Sequence, residues 1–114
     1  QMQTLRDAPE LLERAIEEML RVEPPVQAMP RFIREDFTFH GKKLKRNQLA
    51  LAIIGAANRD PRTFDDPDRF DITRDAPPPP HVGFGYGIHL CLGIALARLE
   101  ARVAFRLLLD YFPG

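Results

Sequence analysis

Gly83-Phe84-Gly85-Tyr86-Gly87-Ile88-His89-Leu90-Cys91-Leu92-Gly93 brings four of the chain's seven glycines and its single cysteine into one short stretch. Closely spaced glycines let a backbone turn sharply and approach a flat or bulky group, leaving amide N–H groups pointing inward. The spacing is not a dinucleotide fingerprint. Counted from Gly83 and Gly85, the third glycine position holds Ile88, and counted from Gly85 and Gly87 it holds Leu90. Cys91 stands at the end of the loop and at the start of a helical pattern, where amide donors and the positive end of a helix dipole favour a thiolate over a thiol. A thiolate is a metal ligand or a nucleophile, whereas a lone cysteine is otherwise a small buried hydrophobe.

Downstream of the loop, Leu92, Ala95, Leu96, Leu99, Val103, Leu107 and Leu108 recur on one helical face, with Arg98, Arg102 and Arg106 on another. This pattern predicts the longest helix over residues 92–110, with the arginines on a solvated side. Upstream, eleven prolines punctuate the chain. Leu11, Leu12, Ala15, Ile16, Met19 and Leu20 predict an amphipathic helix over residues 8–22, which Pro24-Pro25 forbids from continuing. Between Val26 and about Ala52, Phe32, Phe37, Phe39, Leu44, Leu49 and Leu51 flank His40-Gly41-Lys42-Lys43, which points to short antiparallel strands folded back on themselves. Residues 58–75 show neither strand nor helix period and are expected to form an irregular coil pinned by Phe64 and Phe70. Pro77 to Pro80 is the only low-complexity tract. The expected class is therefore mainly α with a small antiparallel β-sheet.

Composition narrows the function. The 114 residues carry 16 basic and 16 acidic side chains, so bulk charge does not recommend the chain to nucleic acid. Its 45% hydrophobic and 28% charged residues are those of a folded domain. The longest apolar stretch, Leu49 to Ala57, is far short of the roughly 20 residues of a membrane span. One cysteine excludes an internal disulfide, an iron-sulfur cluster and a zinc site of several thiolates, and favours a reducing compartment, the cytoplasm. The chain opens on Gln1 and closes on Pro113-Gly114, which reads as a piece of a longer protein.

The Phe-Gly-x-Gly-x-His-x-Cys-x-Gly pattern from Phe84 to Gly93 resembles the haem-binding loop of the cytochrome P-450 family, the haem-thiolate monooxygenases. That resemblance implies that Cys91 is the proximal ligand of the iron of haem b, that Gly85, Gly87 and Gly93 make room for the porphyrin and the helix, and that Phe84 shields the sulfur. It places His89 and Arg31 against haem propionates, although either could be an ordinary loop or surface side chain. Glu18-x-x-Arg21 followed by Pro24-Pro25-Val26 is similar to the family's Glu-x-x-Arg helix, and Pro67-Asp68-Arg69-Phe70 to the segment carrying its third partner. Glu18, Arg21 and Arg69 would then form a buried structural ion network. Asn58-Arg59-Asp60-Pro61 also resembles a bacterial signature.

The resemblance covers nearly the whole chain, but only the C-terminal, proximal haem-binding part of a typical member, residues 1–114 here. The family's Gly-x-Asp/Glu-Thr pattern, which delivers protons to oxygen, is not identified; Gly55-Ala56-Ala57-Asn58 does not fit it. No catalytic residue is assigned for that reason. In the complete enzyme, a ferredoxin- or flavodoxin-type partner on the cysteine side, with Arg98 in its footprint, would supply electrons for oxygenation of a small organic substrate. The alternatives are a non-catalytic haem-binding or scaffold remnant, and Cys91 as a nucleophile with His89 as base. With its apolar helical faces uncovered, the isolated chain is expected to self-associate or to be partly ordered.

Overall fold

The computed structural model of the protein describes residues 1–74 and 80–112. Asp75, most of the proline run and the last two residues therefore lie outside the described part.

The first helical region is broken in two. Helix α1 spans Met2–Asp7, and Ala8 leaves helical geometry at φ −137°. Pro9 then opens a single 3-10 turn, Pro9–Leu11, that leads into α2, Leu12–Val22. The turn accounts for the start expected at residue 8. At the other end Glu23 departs from the helix one residue before Pro24, as the steric restriction ahead of proline requires. Helix α2 buries Leu12, Ala15 and Ile16, and with them the charged Glu18 and Arg21.

Strand β1 (Ala28–Phe32) pairs antiparallel with β4 (Leu49–Ile53), from Ala28 opposite Ile53 to Phe32 opposite Leu49. Nested between them, β2 (Phe37–Phe39) pairs with β3 (Lys42–Leu44). His40 and Gly41 join this hairpin at φ 45° and 75°. Two successive left-handed residues make the turn whose twist suits a two-residue hairpin. The strands thus form two antiparallel ladders rather than one sheet. The interruption has a local cause: Asn47 adopts φ 68°, and the Asp36 carboxylate takes the Arg46 N–H at 2.8 Å and the Lys45 ammonium at 2.7 Å.

Strand β4 runs directly into a short helix, α3, Ile54–Ala57. The irregular segment that follows is anchored by aromatic side chains. Phe64 is buried, and Phe70 packs against a cluster of Leu5, Ala15 and Ile72. A 3-10 turn, Gly87–His89, precedes the long helix α4, Ile94–Tyr111.

The buried side of α4 differs from the expected one. Ile94, Ala97, Arg98, Ala101, Phe105 and Leu109 are half-buried, and Leu109 reaches the Leu5-Ala15-Ile72 cluster. Leu92, Leu96, Leu99, Val103, Leu107 and Leu108 are exposed. Arg98 meets Glu17 on α2 instead of standing on the solvated side, whereas Arg102, although paired with Glu13, stays exposed as expected. The apolar face of α4 is left open, as are Phe32, Leu49, Leu51 and Ile53 on the outer ladder. The accessible surface is 8622 Å², against about 6,300 Å² for a closed monomer of this mass. The radius of gyration is 17.4 Å, where a compact domain of this length has about 13 Å.

Candidate functional site

The glycine-rich loop is a succession of turns closed by its own backbone. Gly85 N–H donates to the Val82 carbonyl at 2.9 Å, Leu90 N–H to Gly87 at 3.1 Å, and Cys91 N–H to Phe84 at 2.9 Å. The last bond shuts the loop so that Cys91 stands at its rim, next to the first turn of α4. Gly85 is required by this path. It sits at φ 80°, and a Cβ there would lie 2.8 Å from the His89 carbonyl oxygen. Gly87 at φ 62° needs glycine for its backbone alone, since nothing lies within 4 Å of a Cβ. At Gly93 a Cβ would make an ordinary 3.8 Å contact with Cys91 Sγ, so the chain's own packing does not demand glycine there.

Cys91 is a free, exposed thiol. Gly85, Tyr86 and His89 of the same loop line an apolar cavity of about 500 Å³, which Met29, Ala52, Ile53 and Val82 wall and Arg31 also enters; Cys91 itself is not in its lining. The ladder that carries Arg31 and the loop that carries His89 are separate in sequence and meet here. Among the described residues no group of three His, Cys, Asp or Glu side chains converges on a metal, and none of the hydrogen bonds joins Cys91 to His89. A soft sulfur donor at the rim, an apolar wall and two residues able to face carboxylates are a chemical match for haem, whose macrocycle brings the remaining iron donors with it.

Phe84 lies toward the interior of the loop. Its ring is 6.0 Å from that of His81 and has the Arg98 guanidinium 5.3 Å above it. It lines a second cavity, of about 180 Å³, together with Glu17, Glu18 and Arg98.

Behind the loop stands a buried polar scaffold. Arg21 Nε and Nη2 bond the two oxygens of Glu18 at 2.7 and 2.9 Å. The same guanidinium donates to the carbonyls of Asn58, Pro67 and Arg69 at 2.8, 2.7 and 3.0 Å, and it lies 5.1 Å from the Phe64 ring. These two side chains are 2% and 5% exposed, so each charge depends on its partner. The Glu18 carboxylate also accepts the Asp71 N–H at 3.0 Å. Burial pushes the Glu18 carboxyl up, but Arg21, the Asp71 amide and Arg74 together hold it below the ordinary range.

The third charged member of this network is Arg74, 3.3 Å from Glu18, and not Arg69. Arg69 contributes its backbone carbonyl, while its guanidinium is exposed and 3.6 Å from Asp71. The chain turns at Asp66–Arg69, which directs a carbonyl inward and the side chain out. No spacing in the sequence distinguishes the two arginines.

Three further residues matter that motif reading undervalued. Asn58 is fully buried, and its Oδ1 accepts the Val82 N–H at 2.8 Å, which ties the Arg21 network to the cysteine loop. Glu17 accepts both Arg98 Nε and Nη2 at 2.7 Å and meets His81 Nε2 at 3.3 Å. Glu17 adjoins the more conspicuous Glu18, and His81 precedes the glycine pattern, so neither carries a signal of its own in the sequence.

The cytochrome P-450 family profile matches residues 1–113. The biotin biosynthesis cytochrome P-450 of Bacillus subtilis is 46% identical over 114 residues, which is 100% of this chain and 28% of that protein. Cytochrome P-450 107B1 of Saccharopolyspora erythraea is 49% identical, over 99% of this chain and 28% of its own length. A crystal structure of CYP109E1 from Bacillus megaterium in complex with testosterone superposes with a TM-score of 0.92 at 44% identity, covering 99% of this chain and 31% of that one. The chain thus spans under a third of the length of these relatives. With a matching fold, a matching sequence and a cysteine loop of fitting chemistry, this chain belongs to the cytochrome P-450 family.

Proposed function

We propose that residues 1–114 are the C-terminal, proximal part of a haem-thiolate monooxygenase, in which Cys91 would be the protein's ligand to the iron of haem b. The observation that carries this reading is that one glycine loop presents the exposed Cys91 thiol and, through Gly85, Tyr86 and His89, lines an apolar cavity that Arg31 also enters. When bound, the haem would supply oxygen activation, driven by electrons from a redox partner, for insertion into a bond of an organic substrate.

The chain's residues bind and tune. Cys91, at the end of the glycine loop just ahead of α4, would hold the iron through its sulfur. Arg31 and His89 would orient the carboxylates of the cofactor, the guanidinium by its fork of donors. The apolar walls contributed by β1, β4 and Val82 exclude water from one edge. Glu18, Arg21, Arg74 and Asn58 hold the surface on which the loop rests.

The partner assigned to the cysteine side is an acidic ferredoxin or flavodoxin. Arg98 is 40% exposed beside that loop, although its guanidinium is already engaged by Glu17. The substrate class is a small, largely apolar organic molecule, by similarity to the testosterone-bound relative. No helix among the described residues is long and apolar enough to cross a membrane, and the cytoplasm is the proposed site of action.

The test is substrate turnover by the full-length, haem-loaded protein and its Cys91→Ser variant with a surrogate electron donor. Loss of oxygenation in the variant is the expected result. Undiminished turnover overturns the assignment.

A further inference from the structure

Two neighbouring carboxylates on α2 serve different partners. Glu18 turns to the irregular segment, and Glu17 turns to the loop and to α4. The Glu17 carboxylate accepts the fork of Arg98 at 2.7 Å through both nitrogens, and its Oε2 lies 3.3 Å from His81 Nε2. His81 Nδ1 lies 3.0 Å from the Gly83 amide nitrogen. Because that amide can only donate, Nδ1 is the acceptor, so Nε2 carries the proton and donates to Glu17. The imidazole is almost completely enclosed, and its orientation is fixed at both nitrogens.

Between His81 and Arg98 lies the ring of Phe84, 6.0 Å from the first and 5.3 Å from the second. Phe84 has Gly83 and Gly85 on either side, so its own backbone supplies little stiffness. Yet its carbonyl accepts the Cys91 N–H at 2.9 Å, and any swing of Phe84 is passed to the cysteine.

We infer that Glu17, His81 and Arg98 form a clamp that positions Phe84 and, through the Phe84 carbonyl, the backbone of Cys91. All three are positioning residues, and the inference rests on the haem-thiolate reading of Cys91. Hydrogen bonding and water at a thiolate ligand set the potential of its iron. Releasing Phe84 moves the Cys91 backbone that its carbonyl holds, and with it the sulfur, and so shifts the potential.

The experiment measures the midpoint potential and the ferrous carbon monoxide spectrum of the full-length, haem-loaded protein. The variants are His81→Asn, His81→Gln, Glu17→Ala and the double variant His81→Asn with Glu17→Ala. Asn keeps an acceptor for Gly83 N–H but is too short to reach Glu17, whereas Gln carries an amide N–H to the carboxylate. The expected result is a strongly red-shifted Soret band in every protein and a shift of potential in His81→Asn. Glu17→Ala, which also frees Arg98, is expected to shift at least as far, the double variant no further than Glu17→Ala, and His81→Gln to stay at the parent value. An unchanged potential in His81→Asn, accompanied only by a lower melting temperature, overturns the clamp; so do shifts that add in the double variant. If Glu17→Ala does not fold, the contrast between Asn and Gln at position 81 decides alone. Absence of the red-shifted band from the parent protein refutes the haem-thiolate reading itself, which is a separate failure.

Discussion

The guanidinium of Arg74 lies 3.3 Å from the carboxylate of Glu18, while that of Arg69 faces solvent beside Asp71. The same guanidinium reaches the Arg69 carbonyl at 3.0 Å, so the two arginines are joined through the backbone of one and the side chain of the other. Removing Arg74 leaves a buried carboxylate short of one cation, and Arg74→Ala is expected to cost about 1.5–3 kcal/mol. Arg69→Ala keeps the carbonyl that Arg21 uses and should stay within about 0.5 kcal/mol of the parent. Urea unfolding of the two variants checks the ranking, and equal losses would contradict it.

Arg21→Lys should be damaging despite keeping the charge. Arg21 makes five hydrogen bonds, to both Glu18 oxygens and to three carbonyls. An ammonium has three donors and no planar fork. The expected loss is about 3–5 kcal/mol, the cost of breaking a buried pair, measured by chemical denaturation.

Acid should weaken the fold in two stages. Burial is the main influence on His81 and outweighs the opposing Glu17, so the imidazole titrates below its ordinary 6.5. The neutral ring is the form the fold favours. Its contribution is complete above pH 6.5 and is lost as the pH falls through the lower folded value. Burial pushes Glu17 and Glu18 up, but their cationic and amide partners bring both below the ordinary 4.5. Their contributions are complete above pH 4.5 and disappear at lower pH. Melting temperature followed from neutral pH downward should fall in two waves. The upper wave should vanish in His81→Gln, and its persistence there would contradict the assignment to His81.

The glycines of the loop should not be equivalent. Gly87→Ala places a side chain in open space at a left-handed position and should cost about 1–2 kcal/mol. Gly85→Ala adds a clash with the His89 carbonyl to the same backbone penalty. It should cost clearly more and lower haem retention, as read from the ratio of Soret to protein absorbance. Equal retention in the two variants would show that the loop has another path.

Much of this was legible from local chemistry. Pro24-Pro25 marked the end of α2, His40-Gly41 the hairpin turn, and the alternating glycines the cysteine loop. Those signals are local because each acts through one residue's own φ or missing donor. The buried side of α4 was not legible, because a face rich in leucine promises burial only when something covers it. In this chain the half-buried side carries Ala97, Ala101, Phe105 and Leu109 together with Arg98, which meets Glu17 on α2. Arg74 and His81 stayed hidden for a related reason: their roles depend on contacts across more than fifty residues, which no periodicity encodes.

The uncovered apolar face of α4 leads to an expectation for the 114-residue chain studied alone. Exposed Leu96, Leu99, Val103 and Leu107 form a continuous patch on that helix, larger than isolated soluble domains usually tolerate. Sedimentation should show self-association that Leu99→Lys with Val103→Lys reduces. A monodisperse parent monomer with a single cooperative melt would contradict this.

The most direct test of Cys91 as a haem ligand is the absorption spectrum of the haem-loaded protein, reduced and exposed to carbon monoxide, beside Cys91→Ala. Thiolate ligation predicts a strongly red-shifted Soret band in the parent that is lost in the variant. The same band position in both proteins would show that the iron is not held by Cys91.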